Sequence, residues 1–184
     1  MTTVQECTVM QEFADLADGG RRLIPYVQAA LGDTNPRDVV VVAIIPNGVP
    51  AAKALAAHLS AELLPLVVAR PLADDGSGRI TPVGQPQEGI QERLAGKTVV
   101  VVDDAVETGT VTRTVGSFLK GMSGRLVLAV PVCPRDVSSG LVPLYDEVVA
   151  VLRPMVRRSL TWHYRDFSPL EEQQALALLH DSDR

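Results

Sequence analysis

Unbroken apolar runs alternate along the chain with segments whose apolar positions recur at helical spacing. Val99 to Val102 are four consecutive valines, Val39 to Ile45 reads VVVVAII, and Arg125 to Val132 reads RLVLAVPV. Runs of this kind suit strands buried on both faces of a parallel sheet, where no polar alternation is needed. Leu63 to Val68 and Glu147 to Leu152 are read as two more strands. From Asp15 the pattern is helical: Leu16, Leu23, Val27 and Leu31 share a face, with Gly19-Gly20 weakening the first turn. Asp33 to Asp38 reads as a turn around Asn35-Pro36, and residues 1–12 as a loose or edge segment. Ala52, Leu55, Ala56 and Leu59 line a second helix, for which Pro50 suits the first position. Val111, Val115, Phe118, Leu119 and Met122 line a third. Asp136 is placed to cap a short segment to Leu141. Ser168-Pro169-Leu170-Glu171 has the form of a capping box, which predicts a terminal helix starting there. The alternation predicts an α/β fold, a Rossmann-like parallel sheet flanked by helices, in one domain spanning 1–184.

The chemistry concentrates after the central valine run. Asp103 and Asp104 end the strand, and Glu107-Thr108-Gly109-Thr110 forms a polar turn into the third helix. Free N–H groups at that helix start, with Thr108, Gly109, Thr110 and Thr112, would make a phosphate pocket. The two carboxylates beside it could hold ribose hydroxyls or a hydrated Mg²⁺. A wet strand end explains one aspartate but explains two plus the Thr-Gly-Thr turn poorly. Response-regulator receiver domains also pair acids after an apolar strand. They start near that pair and need a later strand ending in Asp and another ending in Lys; here Asp146 precedes its apolar run and no Lys follows Lys120. Pro46-Asn47-Gly48-Val49-Pro50 is shaped like a second anion loop, or else is a plain strand-to-helix turn. Arg70 lies just past the third strand. Pro71 to Gly89, with Asp74-Asp75-Gly76-Ser77-Gly78-Arg79, lacks helical or strand period. That predicts a lid over 70–92, with a surface excursion as the alternative.

Composition narrows the classes. The chain has 184 residues, 46% hydrophobic, long enough for a sizeable core without staples. A formal charge of −5 argues against nucleic-acid binding through bulk charge. Cys7 and Cys133 lie far apart without metal-like spacing and read as thiols of a reducing cytoplasm. His58, His163 and His180 show no ligand spacing. The N-terminus lacks the basic start and apolar run of a signal peptide, and no stretch approaches the roughly 20 apolar residues of a membrane span.

Four apolar residues (Val99–Val102), two acids (Asp103, Asp104), two apolar residues (Ala105, Val106) and a short phosphate loop resemble the signature of type I phosphoribosyltransferases. The segment Trp162-His163-Tyr164-Arg165-Asp166-Phe167 is similar to the end of bacterial phosphoribosyltransferase-like proteins. The resemblance implies a type I phosphoribosyltransferase fold with a small C-terminal hood over 159–184. It implies a ligand such as phosphoribosyl pyrophosphate or a nucleoside monophosphate, Mg²⁺ as cofactor, and transfer to a base-like acceptor. It further implies a cytoplasmic homodimer. Asp103 and Asp104 would hold ribose hydroxyls, and Mg²⁺ through water or ribose. Ala105, Val106, Glu107, Thr108, Gly109, Thr110, Val111 and Thr112 would surround the 5′-phosphate. Pro46, Asn47 and Gly48 with Arg70 would form the pyrophosphate side. Glu107 stands where purine enzymes carry an Asp that handles the proton of the attacking base nitrogen. Trp162, Tyr164, Asp166 and Phe167 would form the base-reading hood; the alternative is that these aromatics pack the terminal helix. Asn47 stands where an arginine is expected, in a loop that looks one residue shorter, and Val111 where Thr or Ser is usual. Two alternatives therefore stand beside transfer: a non-catalytic nucleotide-binding regulator, and an enzyme using a 5′-phosphoribosyl substrate without pyrophosphate release.

Overall fold

The computed structural model describes residues 13–69, 83–84, 89–155 and 159–180. The strands are β1 (Val39–Ile44), β2 (Glu62–Leu66), β3 (Val68–Ala69), β4 (Val83–Gly84), β5 (Thr98–Val102), β6 (Arg125–Val132) and β7 (Glu147–Leu152). The helices are α1 (Leu16–Leu31), α2 (Gly48–Leu59), α3 (Ile90–Leu94), α4 (Thr110–Leu119), α5 (Arg135–Ser138) and α6 (Glu172–His180). Five strands form a parallel sheet in the order β2-β1-β5-β6-β7, while β3 and β4 pair antiparallel as a separate ribbon.

The valine runs are explained by the two layers they serve. Val40, Val42, Val99, Val101, Leu126 and Leu128 face one layer, with α3, α4 and Tyr145. Val39, Val41, Val100, Val102, Val127 and Ala129 face the other, with α1, α2 and α6. Side chains alternate across a strand, so both faces must be apolar when both are covered. β5 sits centrally, with Val101 opposite Val42 on one side and Leu128 on the other. The C-terminal ends of β1 and β5 therefore lie side by side, where such sheets present ligand crevices.

Asp15 caps α1, its carboxylate accepting the Asp18 N–H at 2.6 Å. Gly19 and Gly20 are contact surfaces rather than a weak turn. A Cβ on Gly20 would lie 2.4 Å from the Ala51 carbonyl oxygen, and one on Gly19 would lie 2.8 Å from Pro131 Cγ. Their lack of side chains lets α1 press against α2 and β6.

Several expected boundaries change. The strand expected over Leu63 to Val68 is two: β2 ends at Leu66, and Val68 turns into the ribbon. Within the expected lid, Val83–Gly84 is a strand, and 90–92 belong to α3, whose Ile90 and Leu94 anchor in the core. Arg70, Arg79 and the rest of 70–82 and 85–88 lie outside the described residues, as do residues 1–12. Pro50 falls two residues inside α2, which starts at Gly48. Pro134 rather than Asp136 precedes α5, and Asp136 lies in its first turn. α6 starts at Glu172, not Ser168. The Ser168 hydroxyl donates instead to Asp166 (2.7 Å), and the Gln174 side chain accepts the Glu171 N–H (2.9 Å), so the capping group is the glutamine. Among the described residues no helix is long and apolar enough to cross a membrane.

Candidate functional site

At the end of β5 the backbone itself arranges the acids. The Asp104 N–H donates to the Asp103 carboxylate (2.9 Å), and the Ala105 N–H to the Asp104 carboxylate (2.8 Å). The Val106 N–H donates to the Val132 carbonyl (2.8 Å), pinning the turn to β6. Asp103 is half-buried, whereas Asp104 is only 6% exposed. Burial pushes the Asp104 carboxyl above the usual carboxylate range; hydrogen bonding with Asp103, the Ala105 N–H and the Asn47 side chain partly offsets this. The two acids are thus unequal: Asp103 is partly open to solvent and Asp104 is a held, buried group.

The loop that follows is pinned from below. Gly109 has φ +76°, and a Cβ there would lie 2.6 Å from Val137 Cγ1, so glycine is required twice over. Glu107, Thr108 and Thr110 are exposed, and the two threonine hydroxyls lie 3.1 Å apart. The first N–H groups of α4 have no intrahelical acceptors and, with the helix dipole, favour an anion at this spot. The Thr112 side chain does not join them as expected, although its N–H is one of them. It is buried, and its hydroxyl donates to the Gly109 carbonyl (3.1 Å), holding the loop closed instead of facing a ligand. Val111 packs against the core layer.

Two residues absent from the sequence reading support the loop. The Arg113 guanidinium donates to the Thr108 carbonyl (3.0 Å), bringing a cation to the loop. Its place in the first turn of the helix was a usable signal. The buried Tyr145 hydroxyl donates to the Thr112 carbonyl (2.6 Å), a contact that no local pattern announces.

The second loop meets the first. Following the cis Ile45–Pro46 peptide, Gly48 sits so close to β5 that a Cβ would lie 2.6 Å from the Val102 carbonyl oxygen. Asn47 is half-buried, and its Oδ1 accepts the Leu170 N–H at 2.9 Å. Arg70, expected on this side, lies outside the described residues.

The C-terminal aromatics divide. The Tyr164 ring is 1% exposed, 5.2 Å from the Phe13 ring and 5.6 Å from that of Phe167. It has no open face for a base, so its expected stacking role becomes packing. Burial, reinforced by Asp104 and Asp103, pushes its hydroxyl up, keeping it a donor, and it donates to the Asp104 carbonyl at 2.6 Å. Asp166 is held through its N–H to the Ala14 carbonyl (3.0 Å). Trp162, by contrast, is 46% exposed.

No group of three or more His, Cys, Asp or Glu side chains assembles as a metal cage among the described residues. A single half-buried carboxylate such as Asp103 fits a cation held mainly by water and ligand oxygens.

The phosphoribosyl transferase domain matches this chain over residues 15–157. A Mycobacterium tuberculosis protein provisionally named a phosphoribosyl transferase is 28% identical over 92 residues, covering 50% of this chain but 21% of that protein. Among solved structures, TT1426 from Thermus thermophilus has a TM-score of 0.73 at 22% identity, covering 92% of this chain and 98% of that one. Purine phosphoribosyltransferase from Pyrococcus horikoshii has a TM-score of 0.57 at 22% identity, covering 83% and 93%. At such identities the structural likeness bears on the fold alone, and that fold is the type I phosphoribosyltransferase fold. With the match spanning most of the sheet and both loops, the chain belongs to the phosphoribosyl transferase family.

Proposed function

We propose that the protein binds phosphoribosyl pyrophosphate, or another 5′-phosphoribosyl ligand, with Mg²⁺ and transfers the phosphoribosyl group to a base-like acceptor. The observation that carries this reading is the meeting of a carboxylate pair with an anion-favouring helix start just past the end of one strand, β5. In this reading the α4 N–H groups, Thr108 and Thr110 hold the 5′-phosphate, and Asp103 and the held Asp104 receive the ribose hydroxyls. Mg²⁺, when bound, would neutralise charge on the departing pyrophosphate. The acceptor nitrogen bonds to ribose C1 as the C1–pyrophosphate oxygen bond breaks, and the nitrogen's proton passes to Glu107, exposed at the loop mouth. Such a step calls for positioning, charge stabilisation and exclusion of water more than for covalent help. Trp162, 46% exposed, is the hood aromatic that meets the acceptor in this reading, and assembly as a homodimer is part of the same proposal.

The test is release of pyrophosphate from phosphoribosyl pyrophosphate and Mg²⁺ across a panel of purines, pyrimidines and small aromatic acids. Release that depends on one acceptor is the expected result. Binding without release from any acceptor would favour the regulatory reading, and turnover of a phosphoribosyl compound lacking pyrophosphate would favour the third.

A further inference from the structure

The peptide unit between Asp104 and Ala105 is held at both ends. Its carbonyl accepts the Tyr164 hydroxyl at 2.6 Å, and its N–H donates to the Asp104 carboxylate at 2.8 Å. A peptide unit is planar and turns as one piece. The tilt that brings the carbonyl to Tyr164 therefore also aims the N–H, and with it the carboxylate that accepts that N–H. Tyr164 and Asp104 are both buried, so each bond acts in a setting of low dielectric.

Tyr164 is in turn seated by segments from opposite ends of the described chain. Phe13 and Tyr164 pair as a short parallel bridge. The Phe13 N–H donates to the His163 carbonyl (3.0 Å) and the Arg165 N–H to the Phe13 carbonyl (2.8 Å). Phe13, Leu16, Ala105, Val132 and Tyr164 share one apolar cluster, so the same clasp packs the Ala105 side of the turn. Gly19 leaves the hydroxyl its space, since a Cβ there would lie 3.2 Å from the Tyr164 oxygen. Packing alone would be served by phenylalanine; the hydroxyl adds the bond to the acid turn. Residues 159–180 thus form an arm that reaches Asp104 through a buried phenol. The far end of the arm docks separately, with Ala175 buried and the Lys53 ammonium donating to the Leu178 carbonyl at 2.6 Å.

We propose that Tyr164 is a positioning residue for the ribose site. Through the Asp104–Ala105 peptide plane its hydroxyl sets the angle at which the Asp104 carboxylate meets the ligand, so that seating of the arm and engagement of the ribose hydroxyls strengthen each other. The ligand half of this inference rests on the phosphoribosyl reading of the site; the connection itself does not. Such coupling is reciprocal: a ligand that fixes the carboxylate steadies the arm, and loosening the arm frees the carboxylate.

The experiment compares the unaltered full chain with Tyr164→Phe, which keeps the ring and removes the bond. Amide hydrogen exchange by NMR is read at Ala105, with Val101 in the adjoining strand as the reporter of general stability. In Tyr164→Phe, Ala105 exchange should speed by roughly 3- to 10-fold beyond any change at Val101, the scale of one neutral hydrogen bond. Calorimetric titration with phosphoribosyl pyrophosphate and Mg²⁺ should show affinity weakened by roughly the same 3- to 10-fold. In an Asp104→Ala background the same substitution should cost no further affinity, because the carboxylate it positions is gone while the backbone carbonyl remains. Loosened packing would cost the same in both backgrounds. Ala105 and Val101 speeding together, unchanged affinity in Tyr164→Phe, or equal losses in the two backgrounds overturns the proposal. Should the unaltered protein bind no phosphoribosyl ligand, the functional reading falls, and Ala105 exchange alone decides whether Tyr164 holds the acid turn.

Discussion

The two sides of the candidate site are built differently. The phosphate side is one continuous stretch, Asp103 to Arg113, held mostly by bonds between near neighbours, Ala105 to Asp104, Thr112 to Gly109 and Arg113 to Thr108, with Val132 and Tyr145 as its distant partners. The other side is assembled from distant segments, with Asn47 meeting Leu170 across 123 residues and Tyr164 meeting Asp104 across 60. A local site keeps its geometry as long as strand, turn and helix form. An assembled site depends on docking of a terminal segment, and can be opened without unfolding the core. Damage to the first side should therefore abolish chemistry or fold outright, and damage to the second should tune affinity.

The largest effect is expected on turnover. Glu107→Gln should lower it by roughly 10²- to 10⁴-fold, the range for a positioned proton acceptor, with ribose-phosphate affinity little changed. Steady-state kinetics and titration on the same variant, with whichever acceptor supports turnover, check this; full turnover would leave Glu107 only a favourable charge in a helix approach. Next comes Gly109→Ala. It forces an L side chain to φ +76° and drives a Cβ to within 2.6 Å of Val137. We expect a loss of about 2–4 kcal/mol in denaturant unfolding, from left-handed strain plus overpacking.

On the assembled side, Tyr164→Phe removes the hydroxyl that the Asp104 carbonyl accepts, in a buried setting. A cost of about 1–2 kcal/mol in stability should appear with a modest loss of ligand affinity, since the ring packing against Phe13 remains. A loss of stability with affinity untouched would separate the arm from the site. The smallest effect is a pH slope. Asp104 is raised above its ordinary 3.8 chiefly by burial, so the folded state holds this proton more tightly than the unfolded chain. Its contribution to stability is full below that ordinary value and is lost as pH rises through the folded value. Asp104→Asn cannot titrate, so its melting temperature minus that of the unaltered protein should climb as pH is raised from about 4. A difference flat in pH would mean that Asp104 is not raised.

What the sequence revealed and what it hid follow the same division. The strands of the sheet were legible because burial on both faces demands apolar runs, as in Val39–Ile44 and Thr98–Val102. The acids and the Thr-Gly-Thr turn were legible because their arrangement is local. α3 and the β3–β4 ribbon were missed because five residues and two residues per strand carry too little period. Thr112 was misread because a threonine in a first helical turn can face a ligand or bond back to the loop, and only the tertiary setting decides. Ser168 misled for a related reason: its hydroxyl found Asp166 before it found a helix. Asn47 looked like a lost cation because its partner, Leu170, lies 123 residues away in sequence.

The central claim is that the crevice between β1 and β5 is a ribose-phosphate site, and ligand-dependent melting tests it most directly. Phosphoribosyl pyrophosphate with Mg²⁺ should raise the melting temperature, with about 2.7 kcal/mol of added stability at 100 times the dissociation constant. Asp103→Asn should shrink that shift while leaving the ligand-free melting temperature nearly unchanged, because this acid is only half-buried and asparagine keeps an acceptor for the Asp104 N–H. No shift with phosphoribosyl pyrophosphate, ribose 5-phosphate or any nucleoside monophosphate would contradict the account.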